Sequence, residues 1–225
     1  VKYGLIFDVD GVIADTEPVN ARASIKVFED LYGIEGMQAQ DFSAGLGRGA
    51  EKYMEAGALA HRLKLSEEQI RQAAVLREKN ILEIIRSEGL KSFPGVLALA
   101  HAALMRSDFR VAIATSADKE LAYAMLTAVN MPFGQMVCIT GDQVKKKKPD
   151  PQIFLLAVDK LELAPQNCVV VEDAPDGVKA AKAARCQCIA VTNSVAAGKL
   201  ASADLIVNSL TEINTNAIIK LVQNK

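Results

Sequence analysis

The chain is predicted to fold as an α/β protein, a doubly wound parallel sheet with an all-helical domain inserted after the first strand. Three observations predict this. Short apolar runs alternate with amphipathic stretches over most of the 225 residues, the rhythm of parallel strands joined by crossover helices. Polar clusters follow several of those runs, at the strand ends where open α/β sheets hold ligands. Between residue 16 and about residue 92 the rhythm lapses, and only helical patterns remain.

Tyr3–Phe7 is a continuous apolar run and reads as a fully buried strand. Asp8-Val9-Asp10-Gly11 follows it at once. Two carboxylates so close repel unless a cation or a shared proton offsets them, and Gly11 lets the backbone turn sharply. Alone, the motif reads equally well as a surface turn. Residues 18–32, 50–63 and 67–85 read as helices, the last opened by Ser66 and Gln69 in capping-box spacing. Gly45-Leu46-Gly47-Arg48-Gly49 is a glycine-rich loop between helices, and no Gly-Lys-Ser/Thr closes it into a Walker loop. Arg48 could grip an anionic group or simply be solvated. Arg77 and Lys79 are expected on a solvated helix face, and His61 and His101 in structural, partnerless positions. Gly89, Pro94 and Gly95 mark the return, giving a core of residues 1–15 and 89–225 and an inserted domain of 16–88.

Beyond the return, strands are expected at 110–114, 136–139, 168–171, 187–191 and 204–207. Helices are expected at 96–106, 119–129, 151–161, 177–184 and 196–201. Thr115-Ser116 ends one strand, where a helix N-cap is the plainer reading. Lys148-Pro149-Asp150-Pro151 opens a helix, with Lys145, Lys146 and Lys147 expected as a solvated basic turn. Glu172-Asp173 ends Val169-Val170-Val171 on the rim that carries Asp8 and Asp10.

A formal net charge of −1 gives no electrostatic reason to expect nucleic acid or an anionic membrane as partner. No apolar stretch has transmembrane length and no signal peptide is evident, so a cytoplasmic monomer is expected, with a removed segment before Val1 left open. Cys138, Cys168, Cys186 and Cys188 lie in apolar runs, which suggests reduced, buried thiols. Cys186-Gln187-Cys188 lacks the further ligands of a zinc site.

Taken in order, Asp8-Val9-Asp10-Gly11-Val12, Thr115-Ser116, Lys148-Pro149 and Glu172-Asp173 with Gly177 resemble the four motifs of the haloacid dehalogenase superfamily. The resemblance covers essentially the whole chain. The 16–88 insertion is similar to that superfamily's C1-type cap, and Asp10-Gly11-Val12-Ile13-Ala14-Asp15-Thr16-Glu17-Pro18 resembles its β-phosphoglucomutase-like phosphatases. Two departures stand out: Asn20 where many relatives carry histidine, and Pro149-Asp150-Pro151-Gln152 where many carry Pro-x-Pro-Asp.

The resemblance implies a Rossmann-like core and a phosphatase of small phosphorylated metabolites that works through an aspartyl phosphate. Asp8 would be the nucleophile, Asp10 the general acid and base, and Lys148 and Thr115 the supports of the phosphoryl group. Ser116, Arg48, Asn20 and Gly47 would meet the substrate. Mg²⁺ would be held by Asp8, the Asp10 carbonyl and Asp173, with Glu172 as ligand or neighbour. The residues suit that chemistry. A phosphate monoester carries about two negative charges, which must be offset before a carboxylate can attack, and Mg²⁺ is a hard cation held by carboxylates and phosphate oxygens. A β-phosphoglucomutase-type sugar phosphomutase is the alternative, and a catalytically silent binding domain a third.

Overall fold

The computed structural model describes residues 2–46 and 48–224. Six strands, β1 (Tyr3–Phe7), β2 (Phe109–Ala114), β3 (Val137–Ile139), β4 (Cys168–Glu172), β5 (Gln187–Val191) and β6 (Leu205–Val207), form one parallel sheet in the order β3-β2-β1-β4-β5-β6. β1 lies in the middle, paired with β2 on one side and β4 on the other. The chain therefore reverses its winding direction at β1, and such a switch point opens a crevice at the carboxyl ends of the strands.

Every residue of β1 and β4 is buried, as expected of strands covered on both faces. Their side chains alternate between two cores. Leu5, Phe7, Val169 and Val171 join one that includes residues of α4 (Val96–Leu104), α5 (Lys119–Ala128) and α8 (Thr215–Gln223). Ile6, Val170 and Cys188 join the other, with residues of α6 (Gln152–Lys160) and α7 (Pro175–Ala183).

The stretch between β1 and α4 contains no strand among its described residues. It holds α1 (Glu17–Tyr32), a short 3₁₀ turn (Ala39–Gly45), α2 (Ala50–Ala60) and α3 (Glu67–Glu88). These helices carry a third core around Phe28, Phe42, Tyr53 and Met54, with Phe42 and Tyr53 stacked 5.0 Å apart. The far end of α3 leaves that core. Ile81 and Ile85 join the sheet's own core, so α3 ties the helical layer to the sheet.

Several expectations are corrected. α3 runs past residue 85 to Glu88, and Gly89 (φ 78°) supplies the break. The expected helix at 196–201 is a single 3₁₀ turn, Ala197–Leu200. The C-terminal α8 was not anticipated; Asn214 caps it by accepting from the Ala217 N–H. Arg77 is buried, not solvated. His61 has a partner, with Nε2 3.0 Å from Asp41 Oδ2. Cys138 is only partly buried, whereas the other three cysteines are buried. No helix among the described residues is long and apolar enough to cross a membrane.

Candidate active site

The sheet register builds the site. Phe7 pairs with Ile113 and with Val171, so the next residue, Asp8, emerges between Ala114 and Glu172. Its N–H donates to the Val171 carbonyl at 3.1 Å, which fixes the backbone that carries the carboxylate. Asp173 follows Glu172 on the same rim. Lys148 arrives from the segment before α6, and its Nζ lies 3.0 Å from Asp8 Oδ1 and 2.6 Å from Glu172 Oε1. All four residues are buried.

Glu172 is fully engaged. Oε1 accepts from Lys148, and Oε2 accepts from the N–H groups of Asp173 (2.9 Å) and Ala174 (3.1 Å). A side chain at Gly177 would collide with this carboxylate, so glycine is needed there. Asp8 Oδ1 is the opposite case. It is buried without a hydrogen bond, although Lys148 Nζ stands at ion-pair distance from it. Asp8, Glu172 and Asp173 each present an oxygen within 4.8 Å of the others.

Three buried carboxylates around one ammonium are short of positive charge. Burial pushes the Asp8 carboxyl up to about 8; Lys148 opposes the rise, while Glu172 and Asp10 add to it. Asp173 is raised by burial and then by Glu172 and Asp8. Burial alone would lower the Lys148 pKa, but its two carboxylate neighbours hold it above the ordinary value. A hard divalent cation fits this set, since carboxylate oxygens are its preferred ligands and the centre carries one orphaned oxygen and excess negative charge.

Asp10 sits above this centre, half-buried. The Thr16 hydroxyl donates to its Oδ1 at 2.7 Å. Gly11 (φ 73°) turns the chain so that its N–H reaches the Ala14 carbonyl. Any side chain there would strike Asp173.

The rim opens into a cavity of about 340 Å³ walled by both the sheet and the helical layer, at the small end of the roughly 300–1,000 Å³ of ligand pockets. Asp8, Asp10, Lys148, Glu172 and Asp173 face it from the sheet, and Asn20, Glu17, Tyr53, Arg77 and Glu78 from the helices. Thr115, named from sequence, is buried behind this wall, with Oγ1 accepting from the Ala117 N–H at 3.2 Å. Ser116 and Ala117 line the cavity in its place. Arg48 is not among the lining residues. Its side chain is 54% exposed, and Nε lies 4.0 Å from Asp176 Oδ2 on α7. Gly47 lies outside the described residues.

Sequence reasoning missed a cation of the helical layer that lines the cavity. Arg77 Nε donates to Ser24 Oγ at 3.1 Å, and its guanidinium lies 4.8 Å over the Tyr53 ring. The Tyr53 hydroxyl donates to Glu17 Oε1 at 2.6 Å. Lys147, expected to be solvated, is exposed yet also lines the cavity. The sequence holds no spacing signal for either lysine or arginine, since the partners of Arg77 lie on other helices.

Fold and site together define an α/β enzyme with an acidic, lysine-bearing centre at the switch point of its sheet. The haloacid dehalogenase-like hydrolase family matches residues 4–185, and the chain belongs to that family. It is similar to hexitol phosphatase A of Escherichia coli (strain K12), 34% identical over 223 residues that cover 93% of this chain and 92% of the relative. Fructose-1-phosphate phosphatase YqaB of the same organism is 31% identical over 182 residues, covering 80% of this chain and 92% of the relative. Among solved structures, a mutant CbbY from Rhodobacter sphaeroides in complex with xylulose-(1,5)bisphosphate superposes with a TM-score of 0.82 at 25% identity, covering 94% of this chain and 96% of that one.

Proposed function

We propose that the protein is a Mg²⁺-dependent phosphatase that hydrolyses a small phosphorylated sugar or polyol through an aspartyl-phosphate intermediate. The observation that carries this is the buried Asp8 Oδ1, without a hydrogen bond and beside Lys148, on the wall of the cavity between sheet and helical layer. The likeness to a hexitol phosphatase and to a fructose-1-phosphate phosphatase supports the substrate class.

In this reading Asp8 and Asp173, with the Asp10 carbonyl, would hold Mg²⁺, which when bound would supply positive charge against the phosphate. Glu172, both oxygens taken, positions Lys148 instead of binding metal. A carboxylate oxygen of Asp8 bonds to phosphorus as the ester P–O bond breaks. Asp10 gives its proton to the leaving alkoxide; because Thr16 occupies Oδ1, Oδ2 is the oxygen that carries it. Water then attacks phosphorus, Asp10 takes its proton, and the P–O bond to Asp8 breaks to release phosphate. Lys148 neutralises charge on the transferring group, and Ser116 with nearby N–H groups holds its oxygens. The 16–88 segment acts as the cap, presenting Asn20, Glu17, Tyr53 and Arg77 to the rest of the substrate.

The test is phosphate release from a panel of hexitol, hexose and glycolate phosphates, with wild type and Asp8→Asn in parallel. Wild type is expected to turn over several sugar or polyol phosphates, and Asp8→Asn none of them. Near-native turnover by Asp8→Asn would remove the covalent mechanism. Full activity in excess EDTA would remove the metal.

A further inference from the structure

The loop after β5 touches both turns that carry the proposed metal ligands, and no motif pointed to it. The Ser194 hydroxyl donates to Asp173 Oδ2. Next to it, Asn193 Nδ2 donates to the Gly11 carbonyl at 2.7 Å. Gly11 is thereby tied at both ends, because its own N–H already donates to the Ala14 carbonyl at 3.0 Å. The three turns are in contact at this point: a Cβ on Gly11 would meet both Asp173 Oδ2 and, at 2.7 Å, Ser194 Oγ.

We propose that Asn193 and Ser194 are positioning residues that set the divalent-metal affinity of the site. A carboxylate on a short side chain can swivel about its last bond. A hydroxyl has one proton to give, and Ser194 gives it to Oδ2, which holds the Asp173 plane and makes Oδ1 the oxygen that would be offered to a cation. Asn193 acts on the other turn. The Gly11 N–H belongs to the same planar peptide as the Asp10 carbonyl, so fixing Gly11 through both its N–H and its C=O fixes that carbonyl's direction. Two ligands from two separate turns are thus held by one dipeptide. Groups that orient metal ligands in this way typically contribute about 10–100-fold to affinity.

This rests on the metal assignment and not on the identity of the substrate, so it is tested without substrate. Mg²⁺ binding is measured by calorimetry on EDTA-stripped, dialysed protein, with melting temperatures taken with and without the metal. Ser194→Ala is expected to raise Kd about 10–100-fold and to reduce the Mg²⁺-induced rise in Tm, while the metal-free Tm stays close to wild type. Asn193→Ala is expected to act in the same direction, and Ser194→Thr, which keeps the hydroxyl, to recover most of the affinity. Unchanged Kd in both alanine variants would overturn the proposal, as would a loss in Ser194→Thr equal to that in Ser194→Ala. A lowered metal-free Tm with unaltered Kd would show a merely structural role and overturn it too. Wild-type protein that binds no Mg²⁺ would instead sink the metal assignment.

Discussion

Among the described residues Lys148 is the one positive charge inside the centre, held between Asp8 and Glu172. Breaking a buried ion network by removing one partner leaves charge uncompensated, at about 3–5 kcal/mol. Lys148→Ala is therefore expected to lower the unfolding free energy of the metal-free protein by that order in urea titrations at pH 7. A loss below about 1 kcal/mol would mean that the carboxyls shed their uncompensated charge by taking up protons. The raised carboxyls give a second prediction. A carboxylate whose folded pKa lies above its unfolded value stabilises the fold fully below the unfolded value, and that contribution is lost as pH rises through the folded one. For Asp8 the window runs from the ordinary carboxylate range to about 8, and Asp173 shifts in the same direction. Metal-free protein should therefore lose this contribution to its stability between those limits. The Mg²⁺-induced rise in Tm should grow over the same interval, because the metal displaces protons. A rise independent of pH between 5 and 8 would contradict the shifted carboxyls. At this scale the acidic residues were legible because each follows an apolar run. Arg77 was not, since its burial depends on Ser24 and Tyr53 from α1 and α2.

α3 illustrates what an element's sequence does and does not disclose. Its start was readable from Ser66 and Gln69, and both hydrogen bonds of the capping box are present. Its function was not readable, because one charged residue on an amphipathic helix looks like any other until the helix is docked. Docking turns Arg77 and Glu78 toward the cavity and leaves Lys79 exposed. The strands were more legible than the helices: five further apolar runs were placed to within a residue of β2 to β6. α8 is absent from the sequence expectations although it carries helix signals: Asn214 caps it, and Ile218, Leu221 and Val222 recur at helical spacing. Ile218 and Val222 pack into the sheet's core. The contrast between two arginines gives a prediction for these elements. Arg77 faces the cavity, whereas Arg48 is mostly exposed beside Asp176. Arg77→Ala is expected to raise KM about tenfold or more, the scale of a hydrogen bond to a charged group. Arg48→Ala is expected to stay within about threefold, as for an exposed pair. Steady-state kinetics on one sugar phosphate tests both, and a larger effect at Arg48 would mean that its loop swings inward when substrate binds.

For the whole molecule the question is which acceptor takes the phosphoryl group from Asp8. Water and a sugar hydroxyl are chemically similar acceptors, so an enzyme that favours the sugar must exclude water until a second substrate group completes the site. That needs cationic contacts from the helical layer which are free to seize a distant phosphate. Here Arg48 rests beside Asp176, outside the cavity wall. Arg77 is bound to Ser24 and stacked on Tyr53, with Glu17 close by, and Asn20 offers a neutral amide. Such a layer can orient one small phosphorylated sugar through Arg77; the further lysine on the wall, Lys147, is exposed, so it meets a second phosphate in the presence of water and not by barring it. Hydrolysis is therefore expected to prevail over transfer. The measurement supplies β-glucose 1-phosphate with a trace of glucose 1,6-bisphosphate and follows glucose 6-phosphate and free phosphate together. Phosphate release should account for nearly all turnover, and adding the bisphosphate should not accelerate it. Sustained formation of glucose 6-phosphate with little free phosphate would show that the cap excludes water after all, and would make this chain a mutase.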